Sequence, residues 1–103
     1  MPASVVVIGG GVVGENAIQM AAGLGGDVVV LDRSVPVLNR LARHFGNSLE
    51  TVYSTQSAIE ELVLQADLVI GAVLVKGDRA PMLVTADMVR RMKPGSVVVD
   101  VAI

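Results

Sequence analysis

Three glycines and an acid are the residues of this chain whose types and spacing suit chemistry. Gly9-x-Gly11-x-x-Gly14 follows directly on the apolar run Val5-Val6-Val7-Ile8. Eighteen residues after Gly14, a second apolar run, Val28-Val29-Val30-Leu31, ends on Asp32. Three glycines in a loop arise easily by chance. Between a buried strand and an amphipathic helix, with an acid closing the next strand, they form a fingerprint for binding a dinucleotide. Gly9 permits a tight turn out of the strand, Gly11 lets the main chain approach a pyrophosphate, and Gly14 lets the following helix pack closely. Val12 and Val13 then open a helix whose N-terminal N–H groups and positive dipole end face the phosphates. Asp32 is placed to accept hydrogen bonds from the two hydroxyls of an adenine ribose. Its charge repels a 2′-phosphate, which favours NAD over NADP, and the neighbouring Arg33 softens that preference.

These residues need a scaffold, and strand and helix signals alternate along the whole chain. Strands are expected at about 4–8, 27–31, 49–53, 68–70 and 97–99. The first helix is expected to turn Val13, Ala17, Met20, Ala21 and Leu24 inward and to stop at Gly25-Gly26. A second, over 35–45, has Ser34 as N-cap, Pro36 in its first turn, and Val37, Leu38, Leu41, Ala42 and Phe45 as its apolar face. A third, over 57–65, opens with Ser57-x-x-Glu60, the spacing of a capping box, and buries Ile59, Leu62, Val63 and Ala66. A loop through Lys76-Gly77-Asp78 leads past Pro81 to a fourth helix over 85–92, capped by Thr85 and ended by Lys93-Pro94-Gly95. Alternation of this kind demands a parallel sheet with right-handed crossovers and helices on both faces. The fold class expected is α/β: a Rossmann-type, doubly wound parallel sheet of five strands in the order 3-2-1-4-5, in three α/β/α layers. In that order the sheet reverses direction between strands one and four, and ligands bind there, at the carboxyl ends of the strands.

The bulk numbers agree. With 103 residues the chain makes a single domain, 1–103, around one sheet. Apolar residues form 52% of it and aromatics 2%, so valine and other aliphatic residues must build the core, which suits strands buried on both faces. A net charge of −2 points to no nucleic acid or anionic membrane as a partner. The absence of cysteine excludes disulfides and thiolate chemistry. No signal peptide and no apolar stretch of membrane-spanning length stand out, so a cytoplasmic protein is expected.

Other polar residues offer less. His44, the single histidine, falls on the polar side of the second helix. Glu50, Glu60 and Glu61 show no pairing suited to acid–base work, and no His/Asp/Glu cluster has metal-ligand spacing. Met82, Met88 and Met92 recur at helical spacing as core filler.

Five stretches go beyond a generic nucleotide fold: 7–14 (VIGGGVVG), 29–32 (VVLD), 66–75 (ADLVIGAVLV), 80–85 (APMLVT) and 92–103 (MKPGSVVVDVAI). Together they resemble the NAD-binding domain of the alanine dehydrogenase and nicotinamide nucleotide transhydrogenase family, over essentially the whole chain. The resemblance implies that Asp32 holds the adenosine ribose and that Ser54 lies near the adenine. It also implies that Ala72, Val73 and Leu74 line the cleft beside the nicotinamide-side ribose. The implied reaction is reversible oxidative deamination of L-alanine to pyruvate and ammonia with NAD as hydride acceptor, in a homo-hexameric parent. Its catalytic histidine and lysine would sit in a substrate domain that these residues do not contain. The chain is accordingly expected to be a fragment that binds NAD(H) but does not turn over alanine, and Asp100 to be structural. Two alternatives remain at this level: the corresponding domain of a proton-translocating transhydrogenase subunit, which the short 76–80 loop disfavours, and a non-catalytic NAD-sensing module. A methyltransferase using S-adenosylmethionine fits the strict glycine spacing poorly.

Overall fold

Valine-rich runs of four to six residues, each closed by a glycine, an acid or a polar turn, make the strands, and the helices fill the intervals. In the computed structural model, which describes residues 2–71 and 84–100, the strands are β1 (Ser4–Ile8), β2 (Asp27–Asp32), β3 (Leu49–Tyr53), β4 (Leu68–Gly71) and β5 (Val97–Asp100). The helices are α1 (Val12–Gly23), α2 (Val35–Phe45), α3 (Gln56–Gln65) and α4 (Ala86–Arg91), and a single 3-10 turn occupies Gly46–Ser48. All pairings are parallel and the strand order is β3-β2-β1-β4-β5, as the alternation predicts.

The two-residue period of a strand sends alternate side chains to opposite faces, and both faces of the central strands are covered. Val5, Val7, Val28 and Val30 point toward α1 and α2, where Ile18, Leu38 and Leu41 meet them. Val6, Ile8, Leu31 and Val69 point the other way, onto Ile59, Val63 and Ala66 of α3 and its end and onto Met88 and Met92 around α4. Each such aliphatic side chain, fully buried, contributes about 1.5–3 kcal/mol. The three-layer arrangement therefore follows from central strands, β1, β2 and β4, that are apolar on both faces.

Three details differ from the periodicity. In α1 the buried side is Gly14 and Ile18, flanked by Ala17, Ala21 and Ala22, whereas Met20 and Leu24 are 69% and 84% exposed. A helix that is apolar on most of its circumference has no single inward stripe, and the close approach at Gly14 selects which one faces the sheet. In α2, Ala42 is exposed, while Val37, Leu38, Leu41 and Phe45 pack as expected. In α3 the N-cap is Thr55, whose hydroxyl accepts from the Ala58 amide at 3.1 Å. Ser57 lies inside the first turn, and Glu60 instead pairs with Arg91 of α4 at 3.0 Å. Ser34 and Thr85 cap α2 and α4 as their positions predict, accepting from Val37 and Met88.

The amino ends of the strands carry a clamp built from Asp67 and Lys93, residues of two of the five stretches to which the sequence assigned no such role. Asp67 accepts from the Ser4 amide at 2.7 Å with one carboxylate oxygen and from the Lys93 ammonium at 2.9 Å with the other. Its amide donates to Ser4 O and its carbonyl accepts from Val97, so one residue ties β1, β4 and β5 together. The Ser4 hydrogen bond, then Lys93, hold the Asp67 carboxyl below the ordinary aspartate range. A carboxyl whose folded value lies below its unfolded one contributes stability above the unfolded value, and that contribution disappears as pH falls through the folded value. Asp67→Asn is expected to lower the urea midpoint at pH 7 and to flatten the loss of stability below about pH 4. Urea titrations of both proteins across that range check it. Gly14→Ala is expected to cost about 2 kcal/mol or more, since a Cβ there would stand 1.9 Å from Gly9 O; thermal and urea unfolding measure it.

Candidate functional site

The carboxyl ends of β1, β2 and β3 lie side by side, and the chain leaves each through a short polar or glycine turn. At β1, Gly9 has φ +98°, a conformation L side chains rarely adopt, and its amide donates to Leu31 O at 2.8 Å, holding the turn against β2. Gly14 then brings α1 down onto this same turn, with room for no side-chain atom between helix and Gly9 carbonyl. Gly11 caps α1 in an extended conformation with no side-chain cap bond. The first hydrogen bond of the helix runs from the Glu15 amide to Gly11 O at 2.7 Å. The amides of Val12, Val13 and Gly14 precede that bond and have no helical partner.

Space around the loop is uneven in an informative way. A Cβ on Gly11 would meet nothing within 4 Å, and Val12 beside it is 81% exposed. A Cβ on Gly10 would stand 2.7 Å from Leu41 Cδ1 and 3.0 Å from Val37 Cγ1. The protein itself therefore requires Gly14 to be small and leaves little room at Gly10, whereas the space before Gly11 is open. An open, main-chain-lined approach to a helix N-terminus accommodates a pyrophosphate.

Asp32 completes the arrangement. One carboxylate oxygen accepts from the Gly10 amide at 2.7 Å and the other from the Ser34 amide at 2.8 Å. Its backbone carbonyl accepts from Ser54 at 3.0 Å. The acid thus joins the glycine loop, the β2–α2 turn and the end of β3, and each oxygen keeps a further lone pair for an outside donor. Ser54 comes within one hydrogen bond of Asp32 and is half-buried, and Arg33 projects into solvent beside them.

Of the residues singled out in the sequence, Gly9, Gly11, Val12, Val13, Gly14, Asp32, Arg33 and Ser54 gather at these strand ends. Ala72, Val73 and Leu74, the 76–80 loop and Met82 lie outside the described residues. His44 is exposed and stacks edge-on against Phe45 at 4.7 Å. Met88 and Met92 are core. Among the described residues no group of three His, Cys, Asp or Glu is placed to hold a metal ion, and no helix is long and apolar enough to cross a membrane. The fingerprint spacing missed Gly10, which occupies a variable position in the motif but here is packed against α2 and donates to Asp32. Its only signal in the sequence is the unbroken run Gly9-Gly10-Gly11.

The family model for alanine dehydrogenase/PNT, C-terminal domain, matches residues 1–103. The alanine dehydrogenase of Halomonas elongata is 60% identical over 102 residues, which are 99% of this chain and 28% of that protein. A solved L-alanine dehydrogenase superposes with a TM-score of 0.90 at 52% identity, over 98% of this chain and 28% of its own. A transhydrogenase from Sinorhizobium meliloti follows with a TM-score of 0.79 at 34% identity, over 95% of this chain and 28% of its own. The chain thus spans about 28% of the length of the relatives it matches.

Because Asp32 holds two backbone donors before any ligand arrives, its removal has a cost independent of binding. Asp32→Asn leaves one acceptor oxygen and turns an amide NH2 toward a main-chain N–H. It is expected to destabilise the ligand-free protein by about 1–3 kcal/mol, measured by urea unfolding without nucleotide.

Proposed function

We propose that this chain, which belongs to the family of alanine dehydrogenase/PNT C-terminal domains, binds NAD(H) at the carboxyl ends of β1, β2 and β3 as the nucleotide-binding part of an NAD-dependent alanine dehydrogenase. The observation that carries the site is the contrast at the loop. Within the loop, Gly11 has open space before it, next to the helix-start amides of α1, while the adjacent Gly10 is packed and its amide holds Asp32.

In this arrangement the Val12, Val13 and Gly14 amides and the α1 dipole take the pyrophosphate, and Gly11 lets it come close. The spare lone pairs of Asp32 accept from the 2′- and 3′-hydroxyls of the adenine ribose. A 2′-phosphate would set negative charge against the Asp32 carboxylate, so NAD is preferred to NADP, with Arg33 moderating the difference. Ser54 borders the adenine side. Ala72, Val73 and Leu74 would line the nicotinamide side through main-chain and apolar contacts. The bound nicotinamide supplies the acceptor for a hydride from the substrate.

The substrate groups belong to a further domain, in line with relatives several times longer than this chain, and the parent works as a cytoplasmic homo-hexamer. The 103 residues alone then bind nucleotide without turning over L-alanine. Identities of 60% and 52% to alanine dehydrogenases, against 34% to the transhydrogenase, favour the dehydrogenase parent.

Calorimetric titration of the chain with NADH and NADPH tests the assignment. NADH is expected to bind and NADPH to bind at least about tenfold more weakly, a difference of about 1.4 kcal/mol. Gly11→Ala is expected to abolish NADH binding while changing unfolding stability by no more than about 1 kcal/mol. Equal affinity for the two nucleotides, or unchanged NADH binding by Gly11→Ala, would contradict the placement.

A further inference from the structure

Glu15 stands in the first turn of α1, immediately past the amides that would take a pyrophosphate. A carboxylate there stabilises the helix through its dipole. It also places a negative charge beside an anion site whose rim already holds Asp32. Helical side chains lean toward the N-terminus, so Glu15 covers the turn next to Gly11 rather than the turn beyond it. Without compensation, two carboxylates would flank an incoming pyrophosphate, with Arg33, solvent-exposed, of opposite sign next to Asp32.

The molecule compensates from the neighbouring helix. Arg40, in the second turn of α2, hydrogen-bonds and ion-pairs with Glu15 Oε1 through Nη1. That bond is the main cause holding the Glu15 carboxyl below the ordinary range, and His44, one turn further along α2, adds in the same direction. The pair is partly exposed, with side chains 51% and 33% accessible, so it borders solvent rather than the core. The glycine loop does not need it for its shape: Gly9, Gly10 and Gly14 are held by Leu31 O, Asp32 and the helix–turn packing. The role left for Arg40 is electrostatic.

We propose that Arg40 is the counter-ion of the nucleotide site: by neutralising Glu15 at the phosphate-binding end of α1, it sets the affinity for the pyrophosphate of the dinucleotide. This rests on the NAD(H) assignment above. Arg40 touches no ligand and acts through Glu15, as a positioning and charge-balancing residue.

The test titrates NADH and adenosine, which lacks the pyrophosphate, into the wild-type chain and into Arg40→Gln, Arg40→Lys, Glu15→Gln and the Glu15→Gln/Arg40→Gln double variant. NMR shifts read both ligands, at about 0.01 M and about 1 M salt, where the screening length falls from about 30 to about 3 Å. At low salt Arg40→Gln is expected to weaken NADH roughly two- to fivefold and Glu15→Gln to tighten it by a similar factor. The double variant and Arg40→Lys should return to wild-type affinity. Adenosine should bind all five proteins alike, and high salt should erase the NADH differences. Equal NADH affinity throughout, with the wild type binding, would overturn the proposal. Parallel shifts for adenosine would overturn it too, by showing that the pair merely holds α1 against α2. Failure of the wild-type chain to bind NADH at all would overturn the nucleotide assignment, and this proposal with it.

Discussion

The contact on which the rest depends is the approach of α1 to the turn that leaves β1. At Gly14 the helix comes so near the Gly9 carbonyl that an added Cβ would sit 1.9 Å from its oxygen. That contact fixes the height and direction of the helix N-terminus over the sheet. It also decides which side of α1 faces inward, since the turn of helix carrying Gly14 and Ile18 must lie against β1 and β2. Because the first amides of α1 lack helical partners, one small residue inside the helix sets where the proposed anion-attracting end of the site lies.

A second constraint runs across the strands. Asp32 accepts from Gly10 and Ser34 through its side chain and from Ser54 through its carbonyl, so the three turns are held in one network before any ligand is present. Preorganisation of this kind lowers the ordering cost of binding, because the loop need not be immobilised when the ligand arrives. Asp67 does the corresponding work at the opposite end of the sheet, where it joins β1, β4 and β5. Two aspartates, each at a strand end, thus lock the parallel sheet at both margins while the apolar strands between them supply the burial.

Where the sequence was read correctly and where it was not follows from which forces act locally. Strand positions, strand order and the caps at Ser34 and Thr85 were legible, because a continuous valine run, an alternating element pattern and a hydroxyl before a helix act over a few residues. The cap of α3 was not. Thr55 and Ser57 both suit the role, and the choice falls to Thr55 because β3 ends at Tyr53 and the helix can start at once. Glu60 then serves no cap and pairs across to Arg91 of α4, a partner thirty-one residues away that no local spacing reveals. Met20 and Leu24 carried a helical period but lie outside the packed face, since a helix apolar on most of its circumference offers several stripes and the sheet takes one.

By itself the sequence determined the class of fold and named the residues of the candidate site. Parallel strands buried on both faces must be apolar throughout, and the glycine spacing and terminal acid sit within one strand–helix–strand unit, so both are written in consecutive residues. Only the tertiary structure decided how those residues hold one another. Gly10 became tightly packed because Leu41 and Val37 of α2 lie 2.7 and 3.0 Å from where its Cβ would be. Asp32 became a clamp across two turns because Gly10 and Ser34 turn their amides onto it, beyond the ribose contact proposed for it. Glu15 acquired Arg40 because α1 and α2 lie side by side on one face of the sheet. Each of these depends on distances between segments far apart in the chain, which the packing of helices on the sheet sets and local sequence does not.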